Sequence, residues 1–170
     1  MNVLTQIIPN LFIGDNIIAN NTGLLLQNNI TALVNCTELD NPTNFIGEMY
    51  KMNIIDVEEY NSQFYNQLDN VIKFIHVNLS QNKKVMIYCE WGVSRSSSIL
   101  CAYLMYIKHF NGNLIANCKY IMDMRQFAFH SGTKFRFAES LNRYQKSLGY
   151  TGEELLEEYP KNHFVKFYWS

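Results

Sequence analysis

The chain has 170 residues, a formal net charge of −1 and 48% apolar residues, which suits one folded domain and excludes wholesale disorder. Charged residues make up only 17%, and with no basic excess nothing in the composition invites nucleic acid or an anionic membrane surface. The longest apolar run, Ile99 to Ile107, is nine residues, far short of the ~20 that span a bilayer.

The first residues carry neither a charged n-region nor an apolar h-region, so no export signal is expected. Cys36, Cys89, Cys101 and Cys118 have no metal-ligand spacing and no C-x-x-C pair. Reduced thiols in an intracellular protein, cytoplasmic with the nucleus left open, are the expectation. Asparagine occurs 21 times, scattered along the chain, which reads as a surface bias in composition.

In chain order, Ile7 to Ile13 reads as a strand interrupted at Pro9-Asn10 and closed by Gly14-Asp15. A short helix over Leu24 to Asn29 precedes the β-branched run Ile30 to Cys36, a buried strand. Met49 to Val57 contains another strand, MNIIDV, ending in an acidic stretch. Leu68, Val71, Ile72, Ile75 and Leu79 place an amphipathic helix over Phe64 to Leu79. Residues 85–89, VMIYC, form a fully apolar strand, and Ser96 to Lys108 a helix apolar on nearly every face, hence central. Two further helices, Leu114 to Arg125 and Phe137 to Leu148, flank a loop around Ser131-Gly132. Strands alternating with helices predict an α/β single domain: a central, mostly parallel mixed sheet with helices on both faces.

The chemistry is concentrated in Cys89-Glu90-Trp91-Gly92-Val93-Ser94-Arg95-Ser96, between the apolar strand and the central helix. A loop closing onto a helix N-terminus turns successive backbone N–H groups into one concavity, which suits a tetrahedral anion. The same end of a helix favours a thiolate over a thiol. Arg95 can return a planar guanidinium to grip two phosphate oxygens. Gly92 keeps a Cβ out of the turn. A nucleophile, an anion cradle and a charge clamp thus share one short segment, whereas Cys101 and Cys118 lie within helical apolar patterns and read as packed thiols.

Cys89 to Arg95 matches the C-x5-R signature of the cysteine-dependent protein tyrosine phosphatases, and CEWGVSRSSSILCAYLM resembles their dual-specificity branch. IIPNLFIGD, residues 7–15, and NNITALVNCT, residues 28–37, are similar to that branch's conserved strands. Leu114, Ile121 and Arg125 fall where the family has a helix ending in arginine, and Phe137, Leu141 and Tyr144 match its closing helix. The resemblance implies a protein tyrosine phosphatase-like catalytic domain over residues 1–148, followed by an acidic then aromatic extension, 149–170. It implies hydrolysis of phosphotyrosine and phosphoserine or phosphothreonine in proteins through a cysteinyl-phosphate, with no metal or organic cofactor.

Within that resemblance Cys89 is the nucleophile and Arg95 the oxyanion clamp. Ser96 assists departure of the thiolate or caps the helix. Glu90, Trp91, Gly92, Val93 and Ser94 line the substrate. The general acid falls on Asp56, after Met52 and Ile54 as inward residues, with Glu58 and Glu59 as alternatives. Tyr88 stands where the family usually has histidine, which predicts a slower enzyme or one needing higher pH. The loop carries no lysine, which disfavours polyphosphorylated lipid head groups and, more weakly, RNA 5′-triphosphates. A phosphoprotein-binding module with residual activity, and an RNA or lipid phosphatase using the same chemistry, are the rival readings.

Cys36, at the end of its strand, is either a packed thiol or a reversible partner of Cys89 under oxidation. The four histidines share no metal spacing. Phe164, Phe167, Tyr168 and Trp169 are expected to pack on the domain, with a dimer or partner contact as alternatives; the oligomeric state stays open.

Overall fold

Near-continuous apolar runs in the central strands, buried on both faces of the sheet, organise the molecule. In the computed structural model, described over residues 2–129 and 135–156, a five-stranded sheet runs in the order β1-β2-β5-β3-β4. Strands β1 (Thr5–Ile8) and β2 (Leu11–Asp15) form an antiparallel hairpin. Strands β3 (Ile30–Asn35), β4 (Glu48–Lys51) and β5 (Lys84–Cys89) continue the sheet in parallel. Pro9 and Asn10 make the hairpin turn, Asn10 taking φ +67°.

Because side chains alternate across a strand, Val85, Ile87 and Cys89 face one layer while Met86 and Tyr88 face the other. The first face is covered by α3 (Asn61–Ser80), α4 (Arg95–Tyr106), α5 (Leu114–Met124) and α6 (Ala138–Ser147). The second is covered by α1 (Asn16–Ala19) and α2 (Thr22–Gln27), with Phe12, Ile18, Leu25 and Leu33 around Tyr88. This is the α/β sandwich that the sequence pattern predicts. Helix α4 is the keystone: every residue from Arg95 to Met105 is buried, and each large aliphatic side chain so placed is worth roughly 1.5–3 kcal/mol.

Two expectations are corrected. The MNIIDV segment is not a strand. β4 stops at Lys51, Met52 N makes a last bond of 2.9 Å to Asn35 O, and Asn53 takes φ +56°, which no ladder accommodates. Met52 and Ile54 nevertheless point inward. Asparagine is also more than a surface bias. Asn10, Asn29, Asn53, Asn82 and Asn111 occupy left-handed turns, Asn21 and Asn113 cap helices, and Asn35, Asn78 and Asn117 are buried. A short amide side chain tolerates the left-handed region and bonds nearby backbone, so these turns need no glycine.

After α6 the chain turns back on the domain. The Asn142 side chain bonds both backbone N (2.7 Å) and O (2.9 Å) of the buried Leu155. The loop around Ser131-Gly132, His130, His163 and the aromatic residues from Phe164 to Trp169 lie outside the described residues. Among the described residues no helix is long and apolar enough to cross a membrane.

Candidate active site

The carboxyl ends of parallel strands are where a doubly covered sheet opens a crevice. Here β5 ends on Cys89, paired in register with Asp15 at the end of β2, and Cys36 follows the end of β3. From Cys89 the chain passes through Glu90–Ser94 into α4. The loop's carbonyls are turned outward: Glu90 O accepts from Asn16 N (3.3 Å), Gly92 O from Arg125 Nε (2.8 Å) and Val93 O from Phe129 N (2.8 Å). The amides of Glu90 to Ser94 meet no acceptor among the described residues. Peptide units anchored by their carbonyls present their N–H groups to the concavity at the head of α4.

Gly92 takes φ +65°, and a Cβ there would stand 2.6 Å from Gly14 O and against the Arg125 guanidinium. Only glycine fits this packing. Arg125, 7% exposed, also donates from Nη1 to Val3 O (2.7 Å) and Thr5 Oγ1 (2.9 Å), tying the loop to the amino-terminal strand. Burial pushes its proton affinity down, while the negative charges of Asp15 and Cys89 pull it back up.

Arg95 is 4% exposed. Its Nη1 donates to Glu38 Oε2 (2.9 Å) and to Ile54 O (2.9 Å), its Nη2 stands 3.6 Å from Glu90 Oε2, and its buried Nε has no partner among the described residues. One side of the fork is thus clamped by the protein, and the Nε–Nη2 edge is left for a bidentate acceptor. Glu38 is delivered by a local device. Buried Asn35 accepts from Thr37 N (2.9 Å) and Thr37 Oγ1 (2.7 Å) and donates to Leu39 O (3.0 Å), folding the chain after β3 back over the site.

Of the residues singled out from the sequence, Cys89, Ser96, Ser94, Asp56 and Arg95 come together. The Cys89 Sγ and Ser96 Oγ are 3.1 Å apart. Ser94, not Ser96, is the residue that precedes the helix, and its hydroxyl makes no capping bond, so the capping role considered for Ser96 is corrected. Ser94 Oγ instead donates to Asp56 Oδ1 at 2.7 Å, fixing that carboxyl at the loop. Glu58 borders a separate recess with Asn61, Arg136 and Glu139, and Glu59 is exposed. Trp91 stands out at 57% exposure, while Val93 is buried and backs the loop.

Tyr88 lies on the opposite face of the sheet from Cys89, fully buried, its hydroxyl without a partner among the described residues. Burial, then the nearby Cys36, pushes its ionisation far up. Cys36 shares the Cys89 face and donates its backbone N–H to Tyr88 O (2.9 Å). Burial first, then the Cys89 charge, raises its thiol well above the ordinary range, with Arg95 opposing. Cys101 and Cys118 face each other at 3.5 Å in the α4–α5 interface, away from the sheet end. His76 contacts Tyr103 Oη (3.2 Å) and His109 contacts Asn117 (2.8 Å), both distant from the loop. Glu38 was not singled out beforehand, and Arg125 was read only as the end of a helix, without its role as a brace. Glu38 follows a strand whose carboxyl end adjoins that of β5, which is the one signal that marks it.

A strand, anion-cradling loop and helix with cysteine at one end and arginine at the other, on this sheet, define a protein tyrosine phosphatase-like domain. The chain belongs to the dual specificity phosphatase catalytic domain family, whose model matches residues 11–147. It is 28% identical to mouse dual specificity protein phosphatase 8 over 145 residues, covering 85% of this chain and 21% of that protein. It is 34% identical to human dual specificity protein phosphatase 21 over 102 residues, 59% of this chain and 53% of that protein. The chain therefore spans about a fifth of the first relative and half of the second. The crystal structure of human DUSP28 superposes with a TM-score of 0.75 at 20% identity, covering 86% of this chain and 95% of that one.

Proposed function

We propose that this protein is a dual-specificity phosphatase that hydrolyses phosphotyrosine and phosphoserine or phosphothreonine in phosphoproteins. The observation that carries the reading is the buried Nε of Arg95, without a partner among the described residues, beside unbonded loop amides at the strand end bearing Cys89. The Cys89 thiolate attacks phosphorus and the substrate's ester oxygen leaves with a proton from Asp56. Three equatorial oxygens bind the loop amides and Arg95, stabilising the transferring phosphoryl group. Water then attacks the cysteinyl-phosphate, giving its proton to the Asp56 carboxylate. The Ser96 hydroxyl, at 3.1 Å, donates to the departing sulfur.

The bond from Ser94 supports Asp56 as the general acid over Glu58 and Glu59. Four free, buried cysteines support a reducing, intracellular setting. The test is leaving-group dependence. Asp56→Asn should cut turnover of phosphothreonine peptides by ~10²–10⁴-fold, yet slow p-nitrophenyl phosphate, whose leaving group needs little help, far less. Equal loss on both substrates, or the selective loss appearing in Glu58→Gln instead, would overturn the assignment.

A further inference from the structure

The phosphate-binding arginine is unusually well neutralised. Glu38 and Glu90 stand 2.9 and 3.6 Å from its guanidinium, and both carboxylate side chains are 45% exposed. One buried cation thus faces two anions, with the Cys89 thiolate adding a third when ionised. Lys51, at the end of β4, stands 3.9 Å from Asp40. An entering dianionic phosphoryl group therefore competes with two carboxylates for the Arg95 guanidinium. The competition is eased if the substrate brings its own cation to the rim to pair with them.

The rim also specifies which cation. Trp91 directly follows Glu90 and projects its indole into solvent at 57% exposure. A carboxylate and an exposed aromatic on consecutive residues of one loop suit a guanidinium, which can pair with the first and stack on the second. A compact ammonium gains less from the stack. The unpartnered, nine-tenths buried Nε of Arg95 fixes the phosphate position, so this pair lies beside the phosphoresidue and not at a remote patch.

We propose that Glu90 and Trp91, with Glu38, make this site select phosphorylated protein segments carrying arginine next to the phosphoresidue. This rests on the phosphatase reading above and names its substrate class. Three phosphotyrosine peptides with one core and Arg, Gln or Glu at the flanking positions test it. The kcat/KM should rank Arg above Gln above Glu, with about tenfold between the extremes, as expected for reversing one charge near a half-exposed carboxylate. The spread should shrink in 0.5 M NaCl, where screening acts over about 4 Å. Glu90→Gln should compress the ranking, and Trp91→Ala should lower the Arg peptide more than the Gln and Glu peptides.

Equal rates, or preference for the Glu peptide, would overturn the proposal while leaving the phosphatase reading intact. Calorimetric binding of the same peptides to Cys89→Ser separates the two claims. If no peptide is hydrolysed by the wild type but the Arg peptide binds the variant most tightly, the rim selectivity stands and the catalytic reading falls. If neither hydrolysis nor ranked binding is seen, both fall.

Discussion

Truncating Arg125 tests whether the loop is held open from behind. The substitution Arg125→Ala removes three hydrogen bonds together, to Gly92 O (2.8 Å), Val3 O (2.7 Å) and Thr5 Oγ1 (2.9 Å). A bond from a charged donor contributes about 1.5–3 kcal/mol. The Gly92 bond is buried and counts in full, whereas the Val3 and Thr5 bonds are part-buried and water replaces much of each. The expected loss is about 3–5 kcal/mol, comparable with breaking other buried charged networks. With a urea m-value near 2–3 kcal/mol/M, the midpoint should fall by roughly 1–2 M. Freed of its anchor, the Gly92 peptide can rotate and turn a cradle N–H away, which should lower kcat/KM by roughly 10²-fold, the usual cost of one lost oxyanion donor. Arg125→Lys keeps the charge without the fork and should fall between. Urea titration and steady-state kinetics read both effects. A midpoint within 0.3 M of wild type, or unchanged kcat/KM in a folded Arg125→Ala protein, would refute the brace (bounds set at about a quarter of the expected shift).

The Tyr88 hydroxyl is buried without a partner among the described residues, so Tyr88→Phe should leave kcat/KM within about twofold and raise stability by up to about 1 kcal/mol. A loss of stability would mean the hydroxyl has a partner. Buried Cys36 and Cys118 both hold their protons in the fold more tightly than in the unfolded chain. Above the unfolded thiol pKa of about 8.5 the folded state therefore carries more protons, and stability falls as pH rises, by about 1.4 kcal/mol per pH unit per thiol. Denaturation series from pH 7.5 to 10.5 should show that decline, shallower in Cys36→Ala; an identical slope would remove the link. Peroxide should inactivate the protein in a way that dithiothreitol reverses, because Cys36 and Cys89 share one face at adjacent strand ends. Equal recovery in Cys36→Ser would exclude Cys36 as the resolving thiol.

What could be read from the chain and what could not divide along sequence distance. Cys89, Arg95 and Ser96 are joined by one turn between a strand and a helix, so spacing alone places them together. Glu38 reaches Arg95 across 57 positions and Arg125 reaches Gly92 across 33. Both contacts depend on β3 and β2 flanking β5, an order that periodicity along a single strand does not contain. The acidic stretch shows the intermediate case. The resemblance to the family's pattern marked Met52 and Ile54 as inward, but Asn53 at φ +56° ends strand geometry there. Choosing Asp56 over Glu58 then required the Ser94 bond, which is tertiary information. Tyr88 was legible as a departure from the family but not as a residue facing away from Cys89. That follows from the pleat only once the register of β5 is known.

The most direct test of the account is phosphate release by the purified protein and its Cys89→Ser variant, using paired phosphotyrosine and phosphothreonine peptides from pH 5.5 to 8. The account predicts release from both peptides by the wild type and none from the variant, which should still bind them. Release that survives in Cys89→Ser, or peptide binding without any release by the wild type, would contradict it.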